Sequence, residues 1–223
     1  MGFGFRSNIG SGRRGGGVAM LLAAATLLSV MLVAAFSGSP AEAQVDPLHD
    51  QLGADIDGEN AVDLSGGAVA MSADGNTIIV GARFNDDNGS NSGHARVYTF
   101  TAGAWTQVGG DIDGENAGDI SGTAVAMSAD GNTIIIGAPR NAGNGTDSGH
   151  ARIYTLTAGA WTQVGDDIDG ENAVDFSGGA VAMSADGNTV IVGATGSFGN
   201  GPFSGHARVY TCLLYTSPSP RDS

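Results

Sequence analysis

Acidic side chains recur in this chain at a spacing that suits a cation. Asp55, Asp57, Glu59 and Asp63 stand at relative positions 1, 3, 5 and 9 of one segment, and Asp111, Asp113, Glu115 and Asp119 repeat the set. Asp167, Asp169, Glu171 and Asp175 repeat it again. Calcium takes several hard oxygens from one flexible loop, and such a spacing can wrap a short loop around an ion. The glycine falls at position 4 and no glutamate falls at position 12, so the segment is not an EF-hand loop. Two readings stay open: a calcium site in each copy, or solvated turns whose carboxylates cap loop amides.

Other polar residues recur with the same phase. His94, His150 and His206 appear once per unit. Equivalent positions in an array fall on separate structural units, so one ion shared among the three is not expected, and they read as structural or surface histidines. Arg96, Arg152 and Arg208 are expected to pair with local carboxylates, and Trp105 and Trp161 to pack between sheets. Asn88-Gly89-Ser90 and Asn144-Gly145-Thr146 are glycosylation sequons in matching loops, while the third copy reads Asn200-Gly201-Pro202 and has no acceptor. Chance is a rival explanation, because that loop is built mostly of Asn, Gly, Asp and Ser. The chain holds no G-x-S-x-G elbow, H-E-x-x-H pair, nucleotide loop or basic aromatic strip. Two carboxylates can serve as glycosidase acid and base, yet every candidate here is triplicated, which argues against an enzyme.

The elements that position these residues follow from a strict repeat. DIDGEN begins at Asp55, Asp111 and Asp167, and GHAR at Gly93, Gly149 and Gly205, a period of 56 residues without insertion. Each unit reads as four short strands. In the first copy these are 68–72, alternating Val69 and Met71 with alanines; 77–82, an apolar run suited to a strand covered on both faces; 94–101; and 104–108. Asp74-Gly75 and Ala102-Gly103 supply hairpin turns. The segments 109–122 and 166–178 are expected as loops between sheets. Such units cannot bury their apolar faces singly and must stack. The fold class is therefore all-β, a β-propeller of four-stranded blades. Three units, divided at about 50–108, 109–164 and 165–211, are fewer than the four blades that closure needs.

Charge bears on partners and compartment. Residues 44–211 hold 21 acidic residues against 5 Arg, a formal charge of −16, and the whole chain has no Lys. That surface repels nucleic acid and anionic lipid and suits cations or a basic partner. Arg6, Arg13 and Arg14 precede an apolar run at 18–36, and Ala41 and Ala43 form an A-x-A site. Residues 1–43 are thus either a cleaved signal peptide or a membrane anchor, and both place the repeats outside the cytoplasm. Residues 212–223, which leave the repeat in mid-strand and bring the only cysteine, resemble translated adapter sequence and are expected to be foreign to the natural protein.

The SG at 65–66, the GA at 81–82 and the GAP at 137–139, with an apolar hairpin between, resemble the FG-GAP repeats of integrin-alpha-type propellers. The resemblance spans roughly residues 50–211 and implies seven blades. Ser65, Ser121 and Ser177 stand where that family's name has Phe, and only the second copy carries the Pro, Pro139. Calcium-binding members carry an acidic run between the two elements; here that stretch is SADGN, so Asp74, Asp130 and Asp186 are expected to shape a turn. The resemblance implies an extracellular or cell-surface adhesion and interaction module with a protein or glycan ligand. The alternatives are a secreted propeller hydrolase whose active site lies in further blades, and a purely structural repeat.

Overall fold

Small and β-branched residues over four to eight positions become eleven of the thirteen strands in the computed structural model, which describes residues 49–212; the other two are two-residue strands. The expected signal or anchor at 1–43 and residues 213–223 lie outside the described residues. The first sheet holds β1 (Ala68–Met71), β2 (Thr77–Ala82), β3 (His94–Thr101), β4 (Ala104–Gln107) and β5 (Ile112–Asp113). The second sheet holds β6 (Ala124–Met127), β7 (Thr133–Ala138), β8 (His150–Thr157), β9 (Ala160–Gln163) and β10 (Ile168–Asp169). The third contributes β11 (Ser177–Met183), β12 (Thr189–Ala194) and β13 (His206–Thr211).

Each of the first two sheets is an antiparallel meander of four strands, β1-β2-β3-β4 and β6-β7-β8-β9, and the third holds β11-β12-β13. These are blade-like units of a partial propeller. Ala102 and Gly103 both take positive φ, 54° and 86°, as a two-residue hairpin matching the strand twist requires. The segments expected as connecting loops are not wholly loop. β5 pairs with the start of β3, Ile112 opposite Ala95 and Asp113 opposite His94, and β10 pairs likewise with β8. The acidic stretches of the second and third repeats therefore hydrogen-bond onto the blade before them. Sequence repeat and structural blade are offset by this strand.

Faces of neighbouring blades meet in two apolar layers. Ile79, Ala95 and Val97 of the first blade pack with Val125, Met127, Ile134, Ile136 and Tyr154 of the second. Ile135, Ala151 and Ile153 on the opposite face of the second blade pack with Val190 and Val192 of the third. The unbroken apolar run in β7 follows from this, since every residue from Thr133 to Ala138 is buried. Small residues let the layers close. A Cβ on Gly137 would lie 2.9 Å from the carbonyl carbon of Gly178 on the next blade, and one on Gly81 would lie 3.0 Å from that of Gly122.

Candidate functional site

The seam between consecutive blades carries the polar residues singled out by spacing. β3 begins at His94, directly opposite Asp113 of β5, so the pairing of β5 on β3 brings the second acidic stretch against the first histidine. The first acidic stretch reaches the same place through Arg96. Its guanidinium donates to the Asp57 carbonyl oxygen at 2.8 Å and lies 3.3 Å from Glu59 Oε1. Arg152 grips the Asp113 carbonyl oxygen at 2.7 Å and lies 3.4 Å from Glu115, and Arg208 grips Asp169 and Glu171 in the same way. Each arginine thus clamps the backbone of an acidic stretch as well as its glutamate.

The carboxylates within one acidic stretch go to different places. Asp55, Asp111 and Asp167, at the first position, each accept a hydrogen bond from the glutamine four residues earlier. The third-position residues Asp113 and Asp169 lie in β5 and β10, while Asp57 is exposed. Asp63, Asp119 and Asp175, at the ninth position, are buried. Each accepts the backbone N–H three residues before it, and Asp63 and Asp119 also accept from the amides of Asn85 and Asn141. The four carboxylates of one copy do not converge on one point. Convergence occurs between copies.

Around His94 stand Glu59, Asp87, Asp111 and Asp113. Nδ1 of His94 is 3.8 Å from Glu59 Oε2, 4.0 Å from Asp87 Oδ2 and 4.0 Å from Asp113 Oδ1. Donor atoms of Glu59, Asp87, His94 and Asp111 all lie within 4.8 Å of one another. His94 is 0% exposed, and neither of its ring nitrogens has a hydrogen-bond partner. Burial, with the Asp111 charge second, pushes the Glu59 carboxyl above its ordinary range, and burial likewise pushes Asp113 up. The second seam repeats the arrangement with fewer acids. His150 Nδ1 is 3.4 Å from Asp167 Oδ2 and 4.0 Å from Glu115 Oε2, and Gly143 stands where the first copy has Asp87. Burial, reinforced by the Arg152 charge, holds the His150 pKa below its ordinary value, which favours the neutral ring. Groups able to hold a metal ion thus exist at both seams, built from histidine and carboxylate.

Two residues of this site were not singled out by spacing. Asp87 has no counterpart in the other copies, and the signal that could have found it is that break in the repeat. Asn85, with its repeat equivalent Asn141, is fully or almost fully buried and ties the long loop to the buried aspartate. The sequon asparagines are exposed, yet their amides reach across the seam. Asn88 Nδ2 donates to the carbonyl oxygens of Gly114 and Glu115 at 2.7 and 3.2 Å, and Asn144 to those of Gly170 and Glu171. A glycan on Nδ2 leaves a single N–H, so modification would forfeit one of these bonds.

Trp105 and Trp161 pack on the chain that leads into their own repeat. Their indole N–H groups donate to the carbonyl oxygens of Leu52 and Val108, at 2.8 and 2.9 Å. Gly109, at φ 74°, lies so close beneath Trp161 that a Cβ would be 2.9 Å from the ring. Asp74, Asp130 and Asp186 each accept from the Ser hydroxyl and the Asn backbone of the SADGN turn. The serine hydroxyl bond, followed by the backbone bond, holds each of these carboxyls below its ordinary value. Their oxygens serve the turn.

Two open clefts lie beside the acidic stretches of the first two repeats. One of about 450 Å³ is lined by Glu115, Asn116, Asp119, Arg140, Asn141 and Asp147, and another of about 290 Å³ by Asp55, Asp57, Tyr98 and Trp105. No catalytic constellation is evident among the described residues, and none of their helices is long and apolar enough to cross a membrane.

Comparison with known proteins agrees with the repeat. Residues 55–99 and 112–154 match the FG-GAP repeat, so the chain carries an FG-GAP repeat region over 55–154. No curated protein matches the chain. Among solved structures, it is similar to hydrazine synthase of Kuenenia stuttgartiensis, with 15% identity and a TM-score of 0.42 over 71% of this chain and 36% of that one. It is also similar to the periplasmic gluconolactonase of Pseudomonas aeruginosa, with 16% identity and a TM-score of 0.42 over 65% of this chain and 38% of that one. The chain therefore spans little more than a third of either structure.

Proposed function

We propose that this FG-GAP repeat chain is an extracellular or cell-surface interaction module that takes a protein or glycan ligand along its blade seams. The observation that carries the reading is the cleft in which Glu115, Asn116, Asp119, Arg140, Asn141 and Asp147 gather from the acidic stretch and the long loop of one repeat. Carboxylate, carboxamide and guanidinium groups side by side suit the paired hydroxyls of a sugar or the polar face of a peptide. A second cleft, on the first repeat, sets Tyr98 and Trp105 beside Asp55 and Asp57, so an apolar ring face lies next to acceptors. Secretion or anchoring through 18–36 belongs to the same proposal, as does glycosylation at Asn88 and Asn144. Calcium is the ion proposed for the cleft where Glu115, Asp119 and Asp147 offer oxygen donors, since the four carboxylates of a single acidic stretch do not converge on one ion.

The test is a screen of the full chain against immobilised glycans and matrix proteins, with and without millimolar calcium, beside Arg140→Ala. A ligand bound by the parent and weakened roughly tenfold or more in the variant supports the proposal, since hydrogen bonds to charged groups are worth about 1.5–3 kcal/mol. Empty screens under both conditions favour a purely structural repeat. Calcium binding is read separately by calorimetry.

A further inference from the structure

The geometry points to a site for a first-row divalent transition ion, of the zinc class, formed by His94, Glu59, Asp87 and Asp111 at the first blade seam. The inference stands apart from ligand recognition, since a module that binds no partner can still hold the ion. Three observations carry it. First, His94 is wholly buried with both ring nitrogens unpartnered, although burying such groups without partners is costly. Second, Nδ1 stands 3.8–4.0 Å from the carboxylate oxygens of Glu59, Asp87 and Asp113. These distances are too long for direct hydrogen bonds and suited to one atom lying between. Third, the carboxylates of Glu59, Asp87, Asp111 and Asp113 gather around His94, and among the described residues Arg96 is the one arginine paired with Glu59, so like charges face each other across a partly desolvated space. A divalent cation at that point gives Nδ1 its partner, fills the gap between it and the carboxylates and offsets their like charges; Nε2 keeps no partner.

The donor set selects the ion. Calcium and magnesium take oxygen ligands, whereas an imidazole nitrogen beside carboxylates suits zinc and its first-row neighbours. Zinc bonds of about 2.0–2.2 Å place tetrahedral ligand atoms roughly 3.4 Å apart. The Nδ1 separations from Glu59 and Asp87 need to shrink by about half an ångström, and the remaining ones, all within 4.8 Å, by at most about 1.4 Å. Asp87 and Glu59 are on exposed loops, and the Arg96 pairing with Glu59 is the contact that must yield for the move. Asp113 Oδ1, buried and without a hydrogen-bond partner, lies 4.0 Å from the same Nδ1 as an additional oxygen. The site is composite by construction: Glu59 precedes the histidine by 35 residues and Asp111 follows it by 17, one from each of two successive repeats. The spacing recurs as Glu115, His150 and Asp167, but Gly143 removes the fourth donor, so the second seam forms a weaker version. An ion at the first seam ties the start of the second repeat to the first blade.

The experiment uses the full chain, stripped with chelator and titrated with Co2+ as a visible probe and then with Zn2+ in competition. The expected result is one tight equivalent with visible d–d absorption, displaced by Zn2+ and not by millimolar Ca2+. His94→Gln should weaken it by more than the roughly 10- to 100-fold that outer-shell partners cost, while His150→Gln leaves it in place. Asp87→Asn, a change on an exposed loop, should also weaken it without altering the far-ultraviolet circular dichroism. That variant decides the matter if His94→Gln does not fold. Absence of a tight equivalent, meaning that only water bridges the cluster, overturns the inference. So does Co2+ binding that survives His94→Gln or Asp87→Asn, or displacement by Ca2+, which would make the site an oxygen-donor one.

Discussion

Glycine at the middle of each blade offers a controlled test of how the blades are held together. Gly81, Gly137 and Gly193 are equivalent across the repeats, and none has positive φ, so alanine meets no backbone strain at any of them. At Gly137 an added Cβ would lie 2.9 Å from the carbonyl carbon and 3.1 Å from the Cα of Gly178, and closer still to its oxygen. These are backbone atoms of the next blade and cannot swing aside. At Gly193 the same Cβ would meet Ala180 Cβ at 3.5 Å, an ordinary contact. Overpacking costs about 1–3 kcal/mol, and more where backbone must move, while alanine in place of glycine within a strand gains roughly 0.5–1 kcal/mol. Gly137→Ala is therefore expected to lose about 2–3 kcal/mol, and Gly193→Ala to be neutral or slightly stabilising. For a unit of this size, Tm should fall by about 4–12 °C in the first variant only. Thermal and urea melts of the full-length variants read the difference. Equal behaviour of the two would refute the claim that close backbone approach between blades, rather than strand propensity, selects glycine here.

Other consequences are open to the same kind of measurement. Met127 is 8% exposed in the layer between blades while its equivalent Met71 is 65% exposed, so Met127→Ala should cost about 2–5 kcal/mol in urea melts and Met71→Ala under about 1. Trp161→Phe keeps the ring but removes the donor to Val108, and should cost about 1 kcal/mol by the same melts. Asp74, Asp130 and Asp186 have folded pKa values depressed below 3.8, so their contribution is complete above that value and is lost as pH falls through the depressed one. Stability should accordingly drop on acidification below about pH 4, and an Asp→Asn change at all three positions should flatten that part of the pH profile. Arg152→Lys should weaken the seam more than its conserved charge suggests, because the guanidinium bonds the Asp113 carbonyl, faces Glu115 and lies over the Tyr154 ring at once; hydrogen exchange of the Ile112 and Asp113 amides reads it.

Much of the fold was legible because its determinants are local. Alternation in 68–71, the apolar run in 77–82 and the glycines at 75 and 103 each specify a strand or a turn from a handful of neighbouring residues, and the strict period shows that the pattern repeats. The resemblance carried by SG and GAP pointed to the same blade. What those local patterns do not contain is partnership across repeats. Ile112 and Asp113 read as loop because two residues make no periodicity, and only their pairing with Ala95 and His94 makes them a strand. The same pairing changes the meaning of the histidine. Within its own repeat His94 is one residue of a strand; in the folded chain it is the buried point where Glu59, Asp87 and the following repeat's Asp111 and Asp113 meet. The sequence alone determined the unit, its strands and its acidic surface, since hydrogen bonding along a strand and charge are properties of nearby residues. Tertiary structure decided which carboxylates face which histidine, because that depends on the twist and offset with which one blade is laid upon the next.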